Sequence, residues 1–201
     1  MPRIEFWISV GSTYSYLSVA RLAQVAADQG VSFTWHPFSV REIMVEMQNV
    51  PFVGKPVKAA YMWRDIGRRA KLYGLHPRLP APYPLEQFDR ANRVAVLAAE
   101  EGWCGDYVTA AYRAWFEEGL AAGTDANLAR ALAAAGQSVD RVLQAAGGEA
   151  ISARYAARTQ EARDRGIFGA PSFVCEDGEL FWGDDRLEEA VAWAQALERA
   201  G

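Results

Sequence analysis

The apolar positions begin with a short continuous run. Ile4-Glu5-Phe6-Trp7-Ile8-Ser9-Val10 is rich in β-forming residues and stops at Gly11, a pattern that predicts a buried strand. From Tyr14 to Gly30 the period becomes helical. Tyr16, Leu17, Val19, Ala20, Ala23, Val25 and Ala26 form a broad apolar stripe, with Gly30 placed as a C-cap. Val31 to Pro37 alternates apolar and polar residues between Gly30 and Pro37 and predicts a second strand. Residues 39–57 contain Asn49, Pro51, Gly54 and Pro56 and read as a loop-rich connection with about one helical turn. From Lys58 to about Gly166 the chain reads helical in segments near 58–74, 86–101, 104–119, 125–135, 138–147 and 149–166, set apart by Gly, Pro or Asp. Pro171-Ser172-Phe173-Val174-Cys175 and Glu179-Leu180-Phe181-Trp182 then flank Asp177-Gly178, a strong hairpin signal. A last helix is predicted from Arg186 to Arg199, with Leu187, Ala190, Val191, Ala194 and Leu197 on one face.

Strand, helix and strand in direct succession make a βαβ unit, which implies a right-handed crossover and a parallel pair. The full order is βαβ, a long helical block, then ββα. Without the block, the remainder has the order of a thioredoxin core, and the block sits where DsbA-like proteins carry an insertion. The expected fold class is therefore α/β, a thioredoxin-like core (βαβ…ββα) with a large all-helical insertion. The expected boundaries are residues 1–45 and 166–201 for the core and 46–165 for the insertion. Fold analogy does not by itself supply function.

Composition narrows the classes. The 201 residues, 51% of them apolar and 23% charged, suit one compact globular core, or a core plus an inserted subdomain. No apolar run reaches eighteen residues, so no membrane span is expected. The start, Met1-Pro2-Arg3-Ile4-Glu5, lacks the shape of a signal peptide, and a cytoplasmic location is expected. A net charge of −4 does not suggest a nucleic-acid partner. The charge is uneven, with 12 Lys/Arg against 8 Asp/Glu in residues 1–100 and 9 against 17 in residues 101–201. Arg64, Arg68, Arg69, Lys71 and Arg78 crowd one stretch, either as a solvated helix face or as an anion-attracting rim for a small carboxylate ligand. Cys104 and Cys175 are far apart and form no CxxC pattern, which argues against a disulfide. With His36 and His76 isolated as well, no metal site is expected and a hydrolase triad lacks support.

Three places carry candidate chemistry. The first is Gly11-Ser12-Thr13-Tyr14-Ser15-Tyr16, where the first strand meets the first helix. Ligands of open α/β sheets bind beyond the carboxyl ends of strands, and a helix N-terminus there favours an anion. Ser12 and Ser15 have the spacing of a redox cysteine pair, but serine forms no disulfide. A serine hydroxyl still donates a hydrogen bond to a sulfur anion. A charge-assisted bond of about 1.5–3 kcal/mol lowers a bound thiol's pKa by roughly one to two. The alternative is that Ser12 or Thr13 only caps the helix. The second place is Gly169-Ala170-Pro171-Ser172, which fits a cis-proline turn offering the Ala170 backbone to a peptide. On the residues alone, a trans proline ending a loop is the default. The third is Trp182-Gly183-Asp184-Asp185-Arg186, where Asp184 or Asp185 reads as an N-cap and Asp185 with Glu188 as a capping box. A second carboxylate there can also hold an ammonium group.

Together these segments resemble the 2-hydroxychromene-2-carboxylate isomerases and the related kappa-class glutathione transferases. The resemblance is carried by Ser12-Thr13-Tyr14-Ser15-Tyr16-Leu17, Asn49-Val50-Pro51, Lys58…Tyr61…Asp65…Tyr73-Gly74, Phe168-Gly169-Ala170-Pro171-Ser172-Phe173 and Phe181-Trp182-Gly183-Asp184-Asp185-Arg186-Leu187. It implies glutathione as cofactor and Ser12 as the catalytic serine at the glutathione sulfur. Asn49 would line the site. Ala170, before a cis Pro171, would pair with the cysteinyl part. Asp184 and Asp185 would hold the γ-glutamyl end, and Lys58 a carboxylate. It implies reversible thiolate addition to a small, unsaturated, aromatic-derived carboxylic acid in a homodimeric isomerase. The acceptor pocket would have walls from Tyr61, Trp63 or Trp115 and a cation from Lys58, Arg64 or Arg68. A transferase that releases its adduct and a non-catalytic thiol-peptide binder are the alternatives. Two positions depart from the family: Ser9 stands where an aspartate is usual, and Thr13 where a proline follows the serine.

Overall fold

The computed structural model describes residues 1–50, 52 and 54–200, so Pro51 of the Asn49-Val50-Pro51 segment lies outside the described residues. Strands β1 (Arg3–Ile8), β2 (Ser32–Pro37), β3 (Ser172–Val174) and β4 (Leu180–Trp182) form one sheet in the order β2-β1-β3-β4. β1 and β2 are parallel, with Ile8 opposite Pro37. β3 runs antiparallel to β1, with Trp7 opposite Ser172, and β4 runs antiparallel to β3, with Ser172 opposite Trp182. The ends of β1, β2 and β4 and the start of β3 therefore share one edge of the sheet.

Helix α1 (Ser15–Gln29) follows β1 and ends at Gly30, which adopts a left-handed conformation (φ 63°) and returns its N–H to Ala26. The connection after β2 holds more helix than the single turn expected. α2 spans Val40–Glu46, and the Ser39 hydroxyl accepts from the Glu42 N–H at its start. Then come α3 (Pro56–Leu72), α4 (Phe88–Glu101), α5 (Cys104–Phe116), α6 (Asp125–Ala134), α7 (Val139–Ala146) and α8 (Glu149–Asp164). The β3–β4 turn closes as Asp177-Gly178 predicts: Gly178 (φ 89°) donates to Cys175 O at 2.9 Å, and Glu179 N donates to Asp177 Oδ1 at 3.1 Å. The last helix is preceded by a 3-10 turn, Asp184–Arg186, and α9 runs Leu187–Ala200.

Alternation along β1 divides the core. Ile4, Phe6 and Ile8 enter a large cluster that continues through Leu17 of α1 to Val94, Trp115 and Leu128 of the helical block. Trp7 points to the other face, with Phe38, Ile43, Ala162 and Val174. Sheet and helical segment thus share a buried core.

β1 was expected to reach Val10 and stops at Ile8. The reason lies in α4. Asn92, fully buried, accepts from Val10 N at 2.7 Å and donates to Val10 O and Phe88 O, both at 2.9 Å. A side chain thereby replaces the strand ladder at the point where the backbone must turn into the Ser12 loop. Asn92→Ala leaves these buried groups unpaired and is expected to lower the unfolding free energy by about 2–4 kcal/mol in urea denaturation.

Candidate active site

The loop between β1 and α1 carries Ser12 to the shared edge. Ser12 N donates to Ser9 O at 3.0 Å, tightening the turn. The Tyr112 hydroxyl of α5 reaches Ser9 O at 3.1 Å and Ser12 O at 2.9 Å, so its one proton is shared between two carbonyls. The half-buried Ser12 hydroxyl donates to Ala170 O at 2.6 Å, and the Ala170–Pro171 bond is cis. Thr13 Oγ1 turns inward to Met62 Sδ at 2.9 Å. The N-cap of α1 is Tyr14, with no side-chain cap bond, so neither Ser12 nor Thr13 is the plain helix cap. The two serines of the pair differ: Ser12 is accessible, while Ser15 is fully buried.

Beside this junction lies a cleft of about 420 Å³, a usual size for a small-molecule site. Tyr14, Asp65, Arg69, Pro171, Trp182 and Asp185 line it, and Ser12 borders it through Ala170. The Trp182 indole is 52% exposed and stands over Gly169, where any Cβ would collide with it. Phe168 braces the indole edge-on at 4.7 Å. The Tyr14 hydroxyl donates to Asp65 Oδ2 at 3.0 Å. Burial, and then the Asp65 carboxylate, push the Tyr14 pKa upward, so the phenol stays protonated.

The paired aspartates take different parts. Asp184 is 2% exposed, and its carboxylate is a hub rather than a helix cap. Oδ1 accepts from Ser18 Oγ at 2.9 Å and Arg21 Nη2 at 3.1 Å, and Oδ2 from Arg69 Nη2 at 2.6 Å and Nε at 3.1 Å. Arg21 also stacks over Tyr73 at 3.7 Å and pairs with Glu188. Asp185 is the open member, with its side chain 51% exposed and 3.4 Å from Arg186. Arg69 belongs to the basic stretch read from the sequence. It is turned inward to Asp184, whereas Arg68 pairs with Asp65 at the surface.

Other expected residues lie elsewhere. Asn49 and Lys58 are exposed and outside the cleft lining. Trp115 is fully buried and donates to Pro82 O at 2.8 Å, so it is core and not a pocket wall. Tyr14, Arg69 and Trp182 line the cleft although the sequence pattern assigns none of them a site role; Tyr14 and Trp182 lie within the segments that carry the resemblance, and Arg69 within the basic stretch. Among the described residues, no group of three or more His, Cys, Asp or Glu side chains is placed to hold a metal, and no helix is long and apolar enough to cross a membrane. Both cysteines are buried and free. Burial pushes the Cys104 thiol far upward. Burial, with Asp177 and Glu179 nearby, pushes Cys175 up to about 11.

A four-stranded sheet of this order, with a helix starting at the Ser12 turn and a cis proline facing it, defines a thioredoxin-like α/β protein with a helical insertion. The pattern of the DSBA-like thioredoxin domain matches residues 3–192, and the chain belongs to that family. It is 27% identical over 186 residues to the 2-hydroxychromene-2-carboxylate isomerase of Pseudomonas putida, covering 92% of this chain and 90% of that one. A solved structure of 2-hydroxychromene-2-carboxylate isomerase matches with a TM-score of 0.86 at 27% identity, over 98% of this chain and 97% of the other. A stretch of 87 residues is 31% identical to glutathione S-transferase kappa 1 of Caenorhabditis elegans, 43% of this chain and 38% of that protein.

Two outcomes follow from the site geometry. Asp184→Ala strands Arg21 and Arg69 around a vacated buried position and is expected to cost about 3–5 kcal/mol in chemical denaturation. Thiol labelling at about pH 8, where a free cysteine begins to ionise, is expected to modify neither cysteine in the folded protein and both in denaturant. In the folded protein, Cys175 should react only as the pH nears 11.

Proposed function

We propose that this chain is a glutathione-dependent isomerase of the 2-hydroxychromene-2-carboxylate isomerase type, acting on an unsaturated, aromatic-derived carboxylic acid. The observation that carries the reading is the 2.6 Å bond from Ser12 Oγ to the Ala170 carbonyl. It sets a side-chain donor beside the backbone acceptor of the cis-proline turn, at the start of a helix of 15 residues. The residues fit the tripeptide. The cleft has the size for one, and the half-exposed Asp185 carboxylate is open to the ammonium group of an amino-acid end.

When bound, glutathione would supply a nucleophilic sulfur for reversible addition to the substrate's double bond, the chemistry an isomerisation about that bond requires. Ser12 has a single hydroxyl proton. Donating it to a sulfur anion releases the Ala170 carbonyl, which is then open to a peptide N–H. The positive end of the α1 dipole adds to the hold on the anion. Tyr112, by fixing the Ser9 and Ser12 carbonyls, keeps the Ser12 hydroxyl at that edge. Trp182, packed on Gly169, gives the cleft an aromatic wall beside the proline turn. The protein's own thiols are buried and poorly ionised, so the sulfur comes from the ligand.

A kappa-like glutathione transferase is the second reading, favoured by the 31% identity to the kappa enzyme. It uses the same residues and differs in keeping the sulfur on the product. Mass balance separates the two: an isomerase consumes no glutathione. Calorimetry is expected to show glutathione binding. Ultraviolet titration of the bound thiol is expected to give a pKa higher by roughly one to two in Ser12→Ala than in the unaltered protein. An unchanged titration would remove Ser12 from the mechanism.

A further inference from the structure

We propose that Arg41 binds the carboxylate of the acceptor substrate, in a subsite across Ser12 from the Asp185 cleft. This rests on the isomerase reading and adds to it the residue that recognises the acid.

The topology puts Arg41 at the working edge. β1 and β2 are parallel with Ile8 opposite Pro37, so the segments leaving them emerge on the same side. Ser12 follows β1, and Arg41 lies in the first turn of α2 after β2. In the order β2-β1-β3-β4, the Ser12 loop falls between Arg41 and the cleft lined by Pro171, Trp182 and Asp185. Ser9 Oγ accepts from Val40 N at 3.5 Å, which ties the start of α2 to the same loop.

The side chain is held and yet open. The Arg41 guanidinium lies 3.9 Å from the centre of the Phe88 ring, and Nη2 donates to Leu85 O at 3.2 Å. Gly11, next to Ser12, packs on the same two residues. A Cβ at Gly11 would stand 3.3 Å from Phe88 Cβ and 3.8 Å from Leu85 Cδ1. Leu85 and Phe88 thus form one platform that carries the cation and the turn before Ser12. Arg68 faces Asp65, Arg69 faces Asp184, and Arg186 faces Asp185 and Glu189. Among the described residues Arg41 makes no ion pair, and it is exposed. Lys58 and Arg64 of α3 are exposed and also lack an ion pair among the described residues, but no hydrogen bond or ring contact there holds them as Leu85 and Phe88 hold Arg41. Leu85 O takes one guanidinium N–H, and the others remain for two-point contact with a carboxylate. The Phe88 ring lies under the guanidinium, and Tyr83, two residues before Leu85, packs edge-on against Trp63 at 6.0 Å. A fixed cation beside an aromatic wall suits a planar aromatic acid.

The test compares 2-hydroxychromene-2-carboxylate with its methyl ester, with calorimetry of glutathione as reference. In Arg41→Ala, and in Arg41→Gln, which keeps a long polar stem over Phe88, the acid-to-ester ratio of kcat/KM is expected to fall about tenfold or more, through KM for the acid. Arg41→Lys should recover part of it. Glutathione affinity is expected to persist in all three. Equal losses on acid and ester, or an unaltered KM for the acid in both neutral variants, would overturn the assignment and leave the isomerase reading standing. A parent protein that binds no glutathione, or turns over no acid, would overturn both.

Discussion

The clasp between Asn92 and Val10 is the constraint on which the site depends. A strand in a sheet has its backbone groups paired by its neighbours, and β1 would continue if that pairing continued. Asn92 presents an acceptor and a donor at the spacing of one residue's N–H and C=O and takes both from Val10. The ladder therefore ends at Ile8, and the chain can turn at Gly11. Because Asn92 belongs to α4, the helical segment itself sets where the sheet stops. Tyr112 of α5 acts on either side of that clasp, sharing its hydroxyl between the carbonyls of Ser9 and Ser12. The helical block is thus part of the machinery that positions Ser12.

Charge is organised by one buried carboxylate. An isolated Asp184 would be expensive to bury, and two arginines in its place would be worse alone. Together they satisfy one another, because Arg21 comes from α1, Arg69 from α3 and Asp184 from the turn before α9. Three separate elements are pinned at the floor of the cleft. The neighbouring Asp185 is left open with Arg186 beside it. Two adjacent aspartates can therefore serve one as scaffold and the other as contact, a division set by burial and not by residue type.

The parts of this arrangement that were legible in the sequence are the local ones. Strand β1, helix α1 with its Gly30 cap and the Asp177-Gly178 hairpin follow from periodicity and turn chemistry within a few residues. The α2 helix was underestimated although Ser39 and Glu42 stand in the spacing of a capping box, because Pro, Gly and Asn further on weighted the whole stretch toward loop. The clasp, the hub and the Ser12–Ala170 bond join residues 82, 115 and 158 positions apart. No local pattern encodes such a pair. Asp184 looked like a cap because a carboxylate before a helix usually is one. Only the arrival of Arg21 and Arg69 from distant helices gives it another role.

The two departures from the resembling family can be read in the same terms. Ser9 is 0% exposed and Thr13 3% exposed, so both hydroxyls work inside the protein. Ser9 accepts from Val40 N, and Thr13 donates to Met62 Sδ. A carboxylate at position 9 would bury a charge against the start of α2, where the neutral serine hydroxyl costs less to bury. Threonine at 13 retains a hydroxyl that reaches α3, where proline would offer none. Both replacements therefore act on the elements around Ser12 rather than on Ser12 itself, which keeps its place between the α1 helix and the Ala170 carbonyl.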